Sequence, residues 1–333
     1  MVSHSVGLSS SEIGGLWGIY LQEDMGMRLL EYFLHHNQDE DIKSILQLAH
    51  TSSLSHIQQI TDIFLKEGIP LPDRLAGEDV DLSAPPLFYD SFGLSFVYSM
   101  SRMNMINTGF ITANVARSDV LSFFTNMVKE AANLYQKAVS LMLEKGIYDR
   151  SPMIPYPKQV EYIEKHSYIL GFGKKRPLNA VEITEIFFNV ERNYFSILIC
   201  MAFLQIVKDK EIRKFIKQGK EISEKQVQVF NDLLKREELL GVVPVAMEVT
   251  DSTIAPFSNK LIVMLFHSLN AIDITLLGHS LSLSMRTDLV AQYQKFILEI
   301  LLYSEQGFNI LVNRGWLQKP PHAPNRRDLE GLT

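Results

Sequence analysis

Leu178-Asn179-Ala180-Val181-Glu182-Ile183 repeats Leu8-Ser9-Ser10-Ser11-Glu12-Ile13 at a distance of 170 positions. Each stretch is a capping box. Ser9 and Asn179 are side chains that accept a backbone N–H at a helix start, and Glu12 and Glu182, three residues on, reach back to the cap. The spacing persists beyond the caps. Phe33-Leu34 meets Phe203-Leu204, Asp41-Ile42 meets Glu211-Ile212, and Ile57-Gln58 meets Val227-Gln228. It then slips by one, so that Gly109 meets Gly278 and Arg117-Ser118-Asp119 meets Arg286-Thr287-Asp288, and it holds to Gly146 with Gly315 and Pro155 with Pro324. A constant offset across caps, apolar positions and stop signals is the mark of an internal duplication.

The chain of 333 residues accommodates two units, and 46% apolar residues supply a core for both. A net charge of −6 and the lack of any Lys/Arg block argue against a nucleic-acid partner. The one cysteine, Cys200, lies in an apolar run and is expected to pack as a small hydrophobe in a reducing compartment. Met1 to Ser10 lacks the pattern of a signal peptide. Asn193 to Val207, the longest charge-free apolar run recognised, falls short of the ~18 residues of a membrane span. A cytoplasmic protein without a membrane span is the expectation.

Ile13, Leu16, Tyr20, Met27, Leu30 and Leu34 recur at helical steps, so the first helix is predicted over about 10–36, and a short polar break at Asn37-Gln38-Asp39 folds the second, about 39–66, back against it. Gly68 ends that helix. The proline-rich stretch from Gly68 to Pro86 forbids a regular element, and so long a loop in a compact unit needs a reason. About 19 extended residues reach ~60 Å, enough to travel the ~42 Å of a 28-residue helix. The third helix, about 87–116, therefore starts parallel to the second, and the fourth runs to about Lys145 before Gly146. Gly241 to Pro256 repeats the crossover. A long second connection with short first and third ones is the ferritin-like topology. The predicted fold is all-α, two tandem ferritin-like four-helix bundles: 1–150, a linker 151–177 containing Gly171-Phe172-Gly173 and a short helix near 162–170, a second bundle 178–318, and a tail 319–333. The nearly charge-free third helices predict that the bundles pack on each other or that the protein self-associates.

A di-metal bundle needs Glu-x-x-His on two helices, and neither unit has it. The candidate site is a weaker constellation. Asp24 extends the apolar stripe of the first helix, His56 lies on that of the second, and Glu130 lies near that of the fourth. Imidazole and carboxylates from three helices suit one Fe, Mn or Zn ion; a buried hydrogen-bond cluster is the simpler reading. The matching Tyr194, Gln226 and Glu299 make a poor metal site. No catalytic or nucleotide-binding motif occurs, so no activity and no cofactor are expected.

The chain resembles an uncharacterised tandem-bundle family of spore-forming bacilli, known as a domain of unknown function and akin to spore coat protein F. The resemblance rests on Leu8 to Ile13 with Leu16-Trp17, Gly68-Ile69-Pro70-Leu71-Pro72, Lys175-Arg176-Pro177-Leu178-Asn179-Ala180, Glu248-Val249-Thr250-Asp251-Ser252-Thr253 and Gly315-Trp316-Leu317. It implies a ferritin-like fold and no established activity. It further implies histidine at the place of His56 in both units, from which Gln226 departs. A non-enzymatic structural or interaction protein is the expectation, spore- or coat-associated, with a second copy or a coat protein as partner.

Overall fold

The computed structural model describes residues 6–170, 175–242 and 248–331. The Gly171-Phe172-Gly173 segment and the middle of the second crossover lie outside the described residues. Among those described, eight long helices form: α1 Ser10–His36, α2 Glu40–Glu67, α3 Asp90–Thr112, α4 Ser118–Glu144, α5 Ala180–Ile206, α6 Lys210–Arg236, α7 Asn259–Leu283 and α8 Thr287–Asn313, with a single turn, α9 Arg326–Leu329, in the tail. Both predicted capping boxes are present, with Ser9 and Asn179 as caps. Among its described residues the linker carries only a 3-10 turn, His166–Ile169, in place of the expected short helix.

The carboxylate of each box does more than close its own cap. Glu12 Oε1 also accepts the backbone N–H groups of Ala116 and Arg117 at the α3–α4 turn, at 3.1 and 2.7 Å. Glu182 Oε1 takes those of Met285 and Arg286 at the α7–α8 turn. Burial alone would raise the Glu12 carboxyl, but donors from Ser9, Arg117 and Ala116 outweigh it and hold it at about 2. Arg117 then binds Glu67 at 2.6 Å, as Arg286 binds Glu237 at 3.1 Å. At the other end of the bundles Lys145 holds Asp39, and Arg314 holds Asp209.

These ties fix helix direction. Asp90, the first residue of α3, accepts the N–H groups of Gln38 and Asp39 beside the start of α2, while Arg117 just past the end of α3 binds the end of α2. Thus α3 runs parallel to α2, and the first crossover spans the bundle as predicted. Around each bundle, helices one, two, four and three follow one another as packed neighbours.

The two crossovers pair with each other. Val80 bridges Phe257 and Phe88 bridges Val249, both antiparallel. Val249 stands 169 positions after Val80, and Phe257 the same distance after Phe88, so the pairing is self-complementary and relates the halves by a pseudo-twofold axis. Around it the Tyr32 ring meets that of Phe257, Phe92 stacks on Phe195, and α1 packs on α7. One apolar core therefore runs through the second bundle and the adjoining half of the first, and a smaller one fills the far end of the first. Packing of the bundles on each other is the expectation that holds.

Among the described residues two helices, α5 and α7, are long and apolar enough by length and composition to cross a membrane, against the expectation that no run reaches that length. About half of each apolar window is buried inside the protein, where helices apolar on most sides pack.

Candidate functional site

His56 sits at mid-height of the first bundle because α2 carries an apolar stripe, Ile45, Ala49, Ser53, His56 and Ile60, and all five are buried. Its imidazole lies between two carboxylates. Nε2 is 2.9 Å from Glu130 Oε2 on α4, and Nδ1 is 3.4 Å from Glu23 Oε1 on α1, the latter too poorly aligned to count as a hydrogen bond. Burial by itself would lower the pKa of His56; Glu23 and Glu130 together outweigh it and raise the pKa above its ordinary value. A proton on either ring nitrogen therefore faces a carboxylate.

A cavity of about 90 Å³ opens beside this triad. Met25, Leu29, Phe96, Met100 and Leu134 form its apolar wall, and Leu265 and Leu269 of α7 close it from the second bundle. Gln22, Ser52, Ser53, Ser101, Asn104 and Ser268 supply the remaining polar lining.

Of the three residues singled out in the sequence, the structure brings His56 and Glu130 together and directs Asp24 elsewhere. Asp24 is buried, but its Oδ1 accepts Arg74 Nε at 2.7 Å and its Oδ2 accepts the Leu75 N–H at 2.6 Å. It clamps the first crossover onto α1. Its counterpart Tyr194 does the same by other chemistry, donating its hydroxyl to the Val242 carbonyl at 3.0 Å. Glu23, one position earlier, is the carboxylate that sequence reasoning missed. Glu23 and Glu130 approach opposite nitrogens of one ring, so an ion on either nitrogen meets only one of the carboxylates. Among the described residues no group of three or more His, Cys, Asp or Glu has the arrangement of a metal site.

The second bundle holds neutral groups at the same height. Asn193, counterpart of Glu23, donates to Gln226 Oε1 at 3.1 Å, and Glu299 is turned to Lys225 at 2.6 Å. Cys200 is fully buried, and burial pushes its thiol up to about 12, so it is the structural cysteine expected.

Among solved structures, a protein from Bacillus halodurans C-125, proposed to be a spore coat protein, is similar at 20% identity and a TM-score of 0.37, over 47% of this chain and 98% of its own. No curated protein matches. The family described as "Protein of unknown function (DUF3231)" matches twice, over residues 1–160 and 167–329. Two consecutive matches spanning nearly the whole length are what an internal duplication produces, and the chain belongs to the DUF3231 family.

Proposed function

We propose that this chain is a non-enzymatic structural or interaction protein, built on a ferritin-like four-helix scaffold used twice, and acting in the cytoplasm or in association with the spore or its coat. Residues 1–150 and 178–318 are the two units of this reading, joined by the linker 151–177 and followed by the tail 319–333. The observation that carries it is which polar groups the two units share. Glu12 and Glu182, Arg117 and Arg286, Asp39 and Asp209 are matched, and each ties helix ends together. Of the polar groups at mid-bundle, Glu23 gives way to Asn193 and His56 to Gln226, while Glu130 is kept as Glu299 but turned to Lys225. Duplication has kept the frame and not the pairing of His56 with two carboxylates.

The spore location rests on the family resemblance. Immunoblots of purified spores, coat extracts and vegetative cells test it: the protein is expected in the spore fractions, and its restriction to vegetative cells overturns the assignment.

A single Fe, Mn or Zn ion in the first bundle is the second reading, and the His56–Glu130 contact favours it. Elemental analysis of the purified protein decides. Stoichiometric metal lost in His56→Ala supports that reading, and less than a tenth of an equivalent removes it.

A further inference from the structure

Helix α8 has a more apolar outward face than its duplicate. Leu298, Leu301, Leu302, Phe308 and Val312 follow one another at helical spacing and are between 45% and 59% exposed. At the places of the three leucines, 169 positions earlier on α4, stand Lys129, Ala132 and Asn133, all exposed. Val139 and Leu143 stand at the places of Phe308 and Val312, so the difference lies at the three leucines, where the fold demands none. A run of exposed leucines where the twin helix carries an ammonium group, a single methyl and an amide marks a surface that something covers.

The linker is the second such surface. Residues 151–165 form no regular element. Met153, Tyr156, Val160, Tyr162 and Ile163 are between 56% and 91% exposed. Pro155 and Pro157 keep the segment extended, which lowers the entropy lost when it docks. Its far end is moored beside α8. Lys175 binds Asp288 in the first turn of that helix at 2.6 Å, and Arg176 covers the Tyr168 ring.

We propose that a second copy of this chain covers both surfaces, the strap 153–163 of each copy lying along the exposed face of α8 of the other. This deepens the interaction reading above and names the partner. One chain supplies both halves of the contact, so a twofold pair closes with two identical contacts and leaves none open. With ~150 Å² for a large side chain, half-exposed on α8 and mostly exposed on the strap, two reciprocal contacts bury up to about 2,000 Å², within the range of a standard stable interface. Charge is compatible as well. Lys295 and Glu305 flank the leucines, and the strap carries Lys158 and Glu161, one charge of each sign on each surface.

Light scattering and sedimentation of the full-length protein at micromolar concentration should give a dimer. Leu298→Lys with Leu302→Lys should weaken it by about 100-fold or more, as loss of two central apolar anchors does. Tyr156→Ser with Tyr162→Ser, in a segment that no helix needs, should weaken it comparably, and Lys129→Ala with Asn133→Ala on the twin helix should not. Chains carrying Val160→Cys mixed with chains carrying Leu301→Cys should form a disulfide between copies, with buried Cys200 silent. A wild-type monomer, a dimer indifferent to both the leucine and the tyrosine changes, or a disulfide found only within one chain carrying both cysteines overturns the proposal. A monomer that is still found in spores removes the dimer and leaves the interaction reading standing; a strap-linked dimer absent from spores does the reverse.

Discussion

At the same height in two copies of one bundle, the first holds Glu23, His56 and Glu130 beside a cavity, and the second holds Asn193 and Gln226 beside two stacked rings. The rings explain how the second interior is filled. Tyr303, in the place of Leu134, stacks on Phe215, in the place of Ile45, with centroids 4.5 Å apart. Room for the pair comes from Gly219 and Gly307, which replace Ala49 and Ala138. A Cβ at Gly307 would lie 2.8 Å from the Phe215 ring, and one at Gly219 would press on the Tyr303 hydroxyl. Ala49 and Leu134 line the first cavity. The frame that orders the helices is therefore indifferent to what fills them, provided volume and charge balance within each unit.

Exchanging one side chain across the comparison should break that balance most severely at His56. In His56→Gln the buried Glu23 loses its cation, and leaving a buried charge unpaired costs about 3 kcal/mol or more. Glu23→Asn with His56→Gln, which gives the first unit the second unit's pair, should recover most of it. The effect depends on pH with a fixed sign. Because the folded pKa of His56 is raised above 6.5, the imidazolium's contribution is fully present below about 6.5 and is lost as pH rises through the folded value. Above it the ring is neutral and no longer offsets the carboxylates on either side of it. Urea midpoints at pH 6 and pH 9 should show the gap between wild type and His56→Gln narrowing at the higher pH. A gap that widens means that the ring is neutral when folded.

The next effect in size lies in the second interior. Gly219→Ala gains about 1 kcal/mol of helix propensity but overpacks against Tyr303 at a cost of about 1–3 kcal/mol, a net loss of up to about 2 kcal/mol. In a Tyr303→Leu background, which restores the first unit's Ala and Leu pair, the same change should turn neutral or stabilising. A double-mutant cycle by urea denaturation measures the coupling. Equal costs in both backgrounds mean that the glycine is there for another reason.

How much of this was legible follows from what each residue's surroundings encode. The capping boxes, the duplicated offset and the long crossover were readable, because caps and helical periodicity are local, and a helix's length against a loop's reach is arithmetic. Glu23 was not. A single stripe on α1 pointed to Asp24, but α1 is covered on two sides, by its own bundle and by the crossover, and both carboxylates are buried. Periodicity identifies a covered face and does not say which neighbour covers it. The pairing of Val80 with Phe257 and Phe88 with Val249 was equally hidden. Isolated bridges between proline-rich loops leave no alternation in the sequence, and only the duplication, once read, makes their twofold relation intelligible.

The smallest expected effect is a gain, and it isolates one backbone angle. Helix α2 ends at Gly68 with φ 67°, and its successor donates back into the last turn, Ile69 N–H to Phe64 O at 2.9 Å. Helix α6 ends the same way, Leu239 N–H to Leu234 O at 3.1 Å, but the left-handed position is held by Glu238 at φ 61°. A side chain there costs roughly 1–2 kcal/mol from the close approach of Cβ to the next carbonyl oxygen, and a carboxylate at a helix C-terminus opposes the dipole by a few tenths more. Against this, glycine in the unfolded chain is freer, worth about 0.4–1 kcal/mol the other way. The balance favours Glu238→Gly by about 0.5–1 kcal/mol, and Gly68→Glu should lose a similar amount. Opposite shifts of the urea midpoint at an unchanged slope would establish that the two units stop their second helices at different energetic cost. A Glu238→Gly protein no more stable than wild type would mean that the second crossover relaxes the turn, and that the likeness of the two ends stops at hydrogen bonding.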